Sequence, residues 1–392
     1  MKIALVHDWL TGMRGGEKCL APFCRLFPDA RLYTLLHARG RTAPEIERMR
    51  ITTSFLQRIP GIERHYRYWL PLMPKAIESL PIEPDVDVVL SFSHAVAKSI
   101  RLPPGVPHVC YCFTPMRYAW QLRDDYFADE PSSSSSIRRA AQAPKRAVGA
   151  VRGRMLDQVR RWDRATADRV THYIAISRTI AGRIADCYGR ESAVIYPPVD
   201  VDFYTPGESP REDFYLVVSA LAPYKKVQLA VEACQRLRRR LVVIGAGPEA
   251  RRLSRQAGAT TQLLGWRSDE EIRDHLRRCR ALLFPGQEDF GIVPVEAQAC
   301  GAPVIAYDRG GASETVLPAD EQRVGTGVFF GRQTPDALAE AMLWFEQHPR
   351  QISAQLARRQ AVTFRSARYE QALLEYLEYV AGGRRTATRR AA

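Results

Sequence analysis

Glu288 and Glu296 are two carboxylates separated by seven intervening residues in the run FPGQEDFGIVPVEAQACG, which covers residues 284–301. The run reads as strand, loop and helix, with Glu288 in the loop and Pro294 in the first helical turn, where proline is tolerated. The N–H groups of Phe290, Gly291 and Ile292 then stand at a helix N-terminus, whose dipole and unpaired donors favour an anion. Two carboxylates flanking an anion site would be self-defeating for phosphate alone. They suit a ligand whose hydroxyls flank its phosphates, as in a nucleotide sugar. The ordinary alternative is that Glu288 is a solvated or capping residue and Glu296 pairs with a surface arginine.

Lys225 and Lys226 end the run VSALAPYKK, at a turn from strand to helix, where an ammonium can reach a diphosphate oxygen. A cation fixed where negative charge grows stabilises the transition state more than the ground state. Near the start, GMRGGEK (residues 12–18) follows the first strand, so Gly15 and Gly16 allow a ligand close to the backbone. Gly245 and Gly247 read as structural, whereas Gly310 and Gly311 are candidates for a ligand cleft. His94 and Arg117 follow consecutive strands at their carboxyl ends. The imidazole can hydrogen-bond a sugar or acceptor hydroxyl, and the guanidinium can bind an acceptor diphosphate through two bonds. Asp85-Val-Asp87 and Asp200-Val-Asp202 have metal-binding spelling, but one opens a strand and the other lies in a linker, so neither is taken as a metal site. No His/Cys cluster has zinc spacing, and the eight cysteines read as small buried apolar residues.

The elements that must position these residues alternate short apolar runs with helical patterns, which indicates α/β architecture with doubly wound parallel sheets. Strands are expected at Lys2–His7, Arg31–Leu36, Val86–Phe92, Val106–Phe113 and His172–Ile176. A second series is expected at Phe214–Ala220, Leu241–Ile244, Gln262–Leu264, Ala281–Phe284, Pro303–Ala306 and Val328–Phe330. The proline-rich break between the series divides the chain into a first domain (1–196) and a second (213–364), joined by a hinge linker at 197–212. A helix over 365–380 is a candidate to cross back to the first domain, and 381–392 reads as a flexible basic tail. Ligands bind at the carboxyl ends of such sheets, which predicts a site between the domains.

These motifs together resemble glycosyltransferase family 4, and most closely its subgroup of O-antigen mannosyltransferases. Members of that subgroup begin near MKIALVHDWL, carry TPMRYAW, and show runs similar to VSALAPYKK and EDFGIVPVEA. The resemblance covers residues 1–380 and implies the GT-B fold of two facing Rossmann-like domains, with the acceptor on the first and the donor on the second. It also implies retaining, metal-independent hexose transfer, with mannose from GDP-mannose as the expected donor and no cofactor. The expected acceptor is a lipid-linked or nascent glycan in surface polysaccharide biosynthesis. In family terms Lys225, Glu288 and His94 are catalytic. Gly15, Gly16, Lys226, Phe290, Gly291, Ile292, Glu296, Gly310 and Gly311 bind the donor, while Arg117 and Tyr118 bind the acceptor. Glu288 takes donor sugar hydroxyls and Glu296 the ribose hydroxyls. The chain departs from many relatives at Ala220, where they place an arginine, and at Phe113, where they place a histidine. Either Lys226 or Arg117 supplies the missing cation, or the subgroup does without it, and His94 is the candidate for the imidazole.

Hydrophobic residues make up 46% and charged residues 26% of the 392, which fits ordinary globular cores and excludes wholesale disorder. Of the net charge of +14, the insert Pro131–Arg164 carries +7 and the tail from Ala381 to Ala392 carries +4. The body is therefore nearly neutral. Two basic appendages favour docking to an anionic surface over coating of a nucleic acid, so no nucleic-acid partner is expected. The aromatic and basic run Arg64–Leu70 points the same way, toward peripheral association with a membrane. The serine run Ser132–Ser136 is expected to form a mobile loop. No apolar run is long enough to span a bilayer and no secretory signal opens the chain, so a cytoplasmic location, including the cytoplasmic face of an inner membrane, is expected. A nucleotide-sugar epimerase of the same fold and a basic nucleic-acid-binding protein are the competing readings.

Overall fold

The structure is a computed structural model that describes residues 1–120 and 142–391, and their side chains except those of Tyr118, 142–152 and 383–391. The serine run Ser132–Ser136, the start of the basic insert and the side chains of the tail arginines lie outside the described residues, as does the Tyr118 side chain.

Two compact units are present, Met1–Ile195 with Ala372–Ala392, and Tyr196–Gln371. The first is built on seven parallel strands: β1 (Ile3–His7), β2 (Arg31–Thr34), β3 (Arg50–Thr53), β4 (Val88–Ser93), β5 (His108–Cys112), β6 (His172–Ala175) and β7 (Ser192–Val194). Their order is β3-β2-β1-β4-β5-β6-β7. The second has β8 (Tyr215–Val218), β9 (Leu241–Ile244), β10 (Thr261–Gly265), β11 (Ala281–Phe284), β12 (Val304–Tyr307) and β13 (Gly327–Phe330), in the order β10-β9-β8-β11-β12-β13. Central strands such as β1, β4, β5, β9 and β11 are buried along their whole length, as parallel strands covered by helices on both faces require. The order reverses between β1 and β4 in the first sheet and between β8 and β11 in the second. At such switch points the loops leaving adjacent strands diverge and open a crevice at the carboxyl ends.

Residues 197–212, expected as a hinge linker, group with the second unit. Prolines do interrupt the elements there, but arginine forks fix the extended chain to helix ends. Arg358 Nη1 donates to the carbonyls of Val201 (2.7 Å) and Tyr204 (2.8 Å). Arg277 Nε donates to Thr205 O (2.7 Å), and Arg211 donates to Leu276 O, Cys279 O and Cys300 O. Carbonyls at helix C-termini lack intrahelical donors, so a guanidinium satisfies several at once. The closing helix runs Ser366–Ala391. From Ala372 onward it belongs with the first unit, where Leu373 and Leu377 are fully buried and the Tyr376 ring meets His172 edge-on.

Candidate active site

In the second unit, the loops after β8 and β11 meet at the switch point. The first makes a short 3-10 turn, Pro223–Lys225, and enters the helix Val227–Leu237 through Lys226. The second runs from Pro285 to Gly291 and opens the helix Ile292–Ala299. Gly286 lets them touch: a Cβ there would lie 3.0 Å from Lys225 O. The result is an ion pair between Lys225 and Glu288, both partly buried. The Lys225 ammonium also lies 5.3 Å from the centroid of the Tyr224 ring.

Gly310 and Gly311 have a role the sequence did not suggest. A Cβ on Gly310 would collide with the Glu288 carbonyl, and one on Gly311 with the Phe290 backbone. Gly311 N–H donates to Glu288 O at 2.8 Å, and Gln333 Nε2 donates to Pro285 O at 2.8 Å. The two glycines thus seat the carboxylate loop. Phe290 points its ring into the core, within 5.8 Å of Tyr196 and 5.6 Å of Phe364, so the ring anchors the loop while the N–H groups of 290–292 stay at the helix start. Gly291 caps this helix with φ 83°, a left-handed conformation that a side chain would strain. Glu296 is buried in its second turn. Lys225, Glu288, Phe290, Gly291, Ile292, Gly310 and Gly311 are therefore assembled at one place. Ala220, where the family resemblance implies an arginine, is exposed. Gly245 and Gly247 pack against the Ser219 and Leu221 carbonyls, which fits their structural reading.

Lys226 has φ 54° and ψ 30°, a left-handed conformation rare outside glycine. Such strain costs about 1 kcal/mol and gathers at functional positions. Lys226→Gly is therefore expected to raise the melting temperature by about 2–4 °C and to slow sugar transfer about tenfold by removing the cation. A thermal melt and a rate measurement check both. An unchanged rate would remove Lys226 from the candidate donor-binding residues.

In the first unit, the switch point joins the ends of β1 and β4. Asp8, directly after β1, is fully buried. Its Oδ2 accepts from the backbone N–H of His94 (2.7 Å) and Ala95 (3.0 Å), and its Oδ1 from Val96 and Ala97 (both 2.7 Å). His94 Nδ1 lies 2.9 Å from Oδ2. Burial alone would raise this carboxyl, but the facing His94 ring and the converging N–H donors outweigh it and hold the value down to about 2. The imidazole is packed edge-on to Trp9, with centroids 4.5 Å apart, and is thereby fixed in orientation.

Asp8 went unrecognised in the sequence; the signal available was its place at the end of the first strand. Phe113 sits 6.3 Å from the His94 ring, so the position where the family resemblance implies a histidine adjoins the histidine present here. Gly15 opens the helix Gly15–Leu26, and at Gly16 a Cβ would lie 3.1 Å from His7 Nε2 and 3.3 Å from the Phe113 ring. Arg117 opens the short helix Arg117–Trp120.

Three of the four carboxylates with metal-like spelling are otherwise engaged. Asp85 pairs with the Lys2 ammonium, Asp87 accepts from Lys2 N–H (2.8 Å), and Asp200 caps Phe203 N–H (3.0 Å). All eight cysteines are unpaired and seven are buried.

Comparison with known proteins agrees with this architecture. Anabaena HepE, solved in complex with UDP and glucose, superposes with a TM-score of 0.68 over 96% of this chain and 99% of its own, at 18% identity. The fold is accordingly α/β of the GT-B class. The GDP-mannose-dependent alpha-(1-6)-phosphatidylinositol monomannoside mannosyltransferase of Mycolicibacterium smegmatis is 30% identical over 219 residues, 48% of this chain and 55% of that protein. The O-antigen chain mannosyltransferase C of Escherichia coli is 30% identical over 146 residues, 35% and 38% of the two chains. The chain spans about half the length of the curated relatives it matches. The family model Glycosyltransferase Family 4 matches residues 14–203, and Glycosyl transferases group 1 matches residues 202–361. With the two models running in succession over both units, the chain belongs to glycosyltransferase family 4.

Proposed function

We propose that the protein is a retaining, metal-independent transferase that moves mannose from GDP-mannose to a hydroxyl of a lipid-linked or nascent glycan, at a membrane surface where polysaccharide is assembled. The observation that carries the reading is the meeting of Lys225 and Glu288 beside the N-terminus of the helix Ile292–Ala299, at the switch point of the second sheet. The mannosyltransferase names of the relatives support the choice of sugar.

In this reading the diphosphate lies against the N–H groups of 290–292 and the Lys225 ammonium, with Lys226 adding a second cation. Glu288 accepts hydrogen bonds from the sugar hydroxyls and Glu296 from the ribose. The bond from the anomeric carbon to the diphosphate oxygen breaks as a bond to the acceptor oxygen forms on the same face of the ring. The acceptor proton passes to the departing diphosphate, so no protein nucleophile is needed. The cations and the helix dipole meet the growing charge on the leaving group, and the carboxylates hold the reacting carbon in line. In the first unit His94, oriented by Asp8, hydrogen-bonds the transferred sugar or the acceptor hydroxyl. Arg117 and Tyr118 take the acceptor diphosphate.

A thermal-shift panel of GDP-, UDP- and ADP-sugars tests the reading. GDP-mannose is expected to give the largest rise, undiminished by a chelator. A larger rise with another sugar nucleotide would overturn the donor, and release of a free altered sugar without acceptor would mark an epimerase.

A further inference from the structure

Residues 55–78 of the first unit form consecutive short helical turns: Phe55–Arg58, Ile62–His65, Tyr66–Leu72 and Met73–Glu78. One side of these turns is core. Leu56, Ile62, Tyr66, Leu70, Met73 and Ile77 pack in one cluster with Leu156 and Val159 of the helix Gln142–Ala165. The other side exposes Arg58, Arg64, Arg67 and Lys75, with Tyr68 83% and Leu72 39% accessible between them. Glu63 is the one exposed acid from Phe55 to Lys75.

Some surface arginines elsewhere in this unit are paired, as in Arg101 with Glu78 (2.9 Å), Arg31 with Glu83 (3.1 Å) and Arg190 with Asp168 (3.2 Å), whereas Arg39, Arg41, Arg48 and Arg50 are exposed as well. Arg58, Arg64 and Lys75 have no carboxylate partner among the described residues. The adjoining helix extends the charge: it carries exposed Arg154, Arg161 and Arg164, and is tied to this layer by Trp162 Nε1 donating to Glu78 Oε1 at 3.0 Å.

We infer that this face of the first unit, centred on Tyr68, docks on a bilayer surface rich in anionic phospholipid. Cations left without partners gain about fivefold each in partitioning near such a surface. Long basic side chains can lie along it with their charges at the headgroups, and an exposed tyrosine ring flanked by arginines suits the boundary between water and acyl chains. A polyanion without an apolar layer would gain nothing from exposed Tyr68 and Leu72. The inference rests on the proposed function only for what the docking serves, since an acceptor carried on lipid must be met at the membrane.

Flotation of the full chain with vesicles of phosphatidylcholine alone, and with 30% phosphatidylglycerol, tests it. Wild type is expected to bind the anionic vesicles at least 100-fold more tightly. The triple variant Arg58→Gln, Arg64→Gln, Lys75→Gln is expected to lose about 100-fold, and Tyr68→Ser about fivefold, with the melting temperature and the thermal shift by GDP-mannose unchanged. Equal binding to neutral vesicles, wild-type binding by the triple variant, or binding lost only when the arginines of 131–164 are neutralised would each overturn it. Retention on heparin or duplex DNA without vesicle binding would overturn it in favour of a soluble polyanion. Vesicle binding in a protein that takes up no sugar nucleotide would leave the docking intact and defeat the proposed function alone.

Discussion

Glu288→Gln is expected to lower the transfer rate about a thousandfold while the protein still folds. The substitution keeps size and shape and removes one charge. That charge sits at the one place in the second unit where a lysine ammonium, a helix N-terminus and the carboxyl ends of β8 and β11 converge. Losing a preorganised polar group that acts mainly in the transition state typically costs two to three powers of ten. Here the loss is compounded because Lys225 also loses the partner that positions it. The fold should tolerate the change: the loop is held by Gly311 N–H on the Glu288 carbonyl and by the Phe290 ring, neither of which involves the carboxylate. A steady-state rate and a thermal melt on the same preparation separate the two effects. A rate within threefold of wild type would remove Glu288 from the mechanism.

Asp8→Asn is expected to act on stability as much as on rate. The carboxylate serves four backbone donors and the His94 ring from a fully buried position. An amide keeps one oxygen for two of the donors and turns an NH2 group toward the other two. With hydrogen bonds to a charged group worth about 1.5–3 kcal/mol each, the cost is about 3–5 kcal/mol. The loop bearing His94 would lose its anchor, so rate should fall as well.

The pH dependence gives an independent reading. The Asp8 carboxyl titrates at about 2 in the folded protein against an ordinary 3.8. Its charged form therefore stabilises the fold fully above about pH 4. That contribution, about 2–3 kcal/mol, fades as the pH falls from there through 2. Urea unfolding at a series of acid pH values should show that loss in wild type and a flatter limb in Asp8→Asn. Parallel limbs would contradict the assignment.

Most of the framework was legible because buried parallel strands are short unbroken apolar runs. β9 and β11 fall on the expected residues, and the expected central strands lie within a few residues of the observed ones. The strands that escaped notice, β3 and β7, are sheet edges of four and three residues with no fully buried position, so their sequences, RITT and SAV, carry no apolar run.

Residue types and local spacing pointed to Lys225, Glu288 and the helix start, which the fold brings together. Long-range packing was invisible. That Gly310 and Gly311 would press against the Glu288–Phe290 backbone depends on the β12 loop crossing the β11 loop. That Asp8 would cap residues 94–97 depends on β1 and β4 being neighbours although 80 residues separate them. The grouping of residues 197–212 with the second unit was invisible for the same reason. Proline content marks where elements stop, and it says nothing about Arg211, Arg277 and Arg358 binding that stretch to one unit.

The central claim is that the second unit grips a sugar nucleotide, with Glu288 on the sugar and Glu296 on the ribose. Calorimetric titration of GDP-mannose and of GDP alone into wild type, Glu288→Gln and Glu296→Gln tests it directly. Wild type should bind both ligands. Glu288→Gln should weaken GDP-mannose about tenfold and leave GDP unchanged, whereas Glu296→Gln should weaken both alike. Absence of heat with every activated sugar, or equal affinities across the three proteins, would contradict the account.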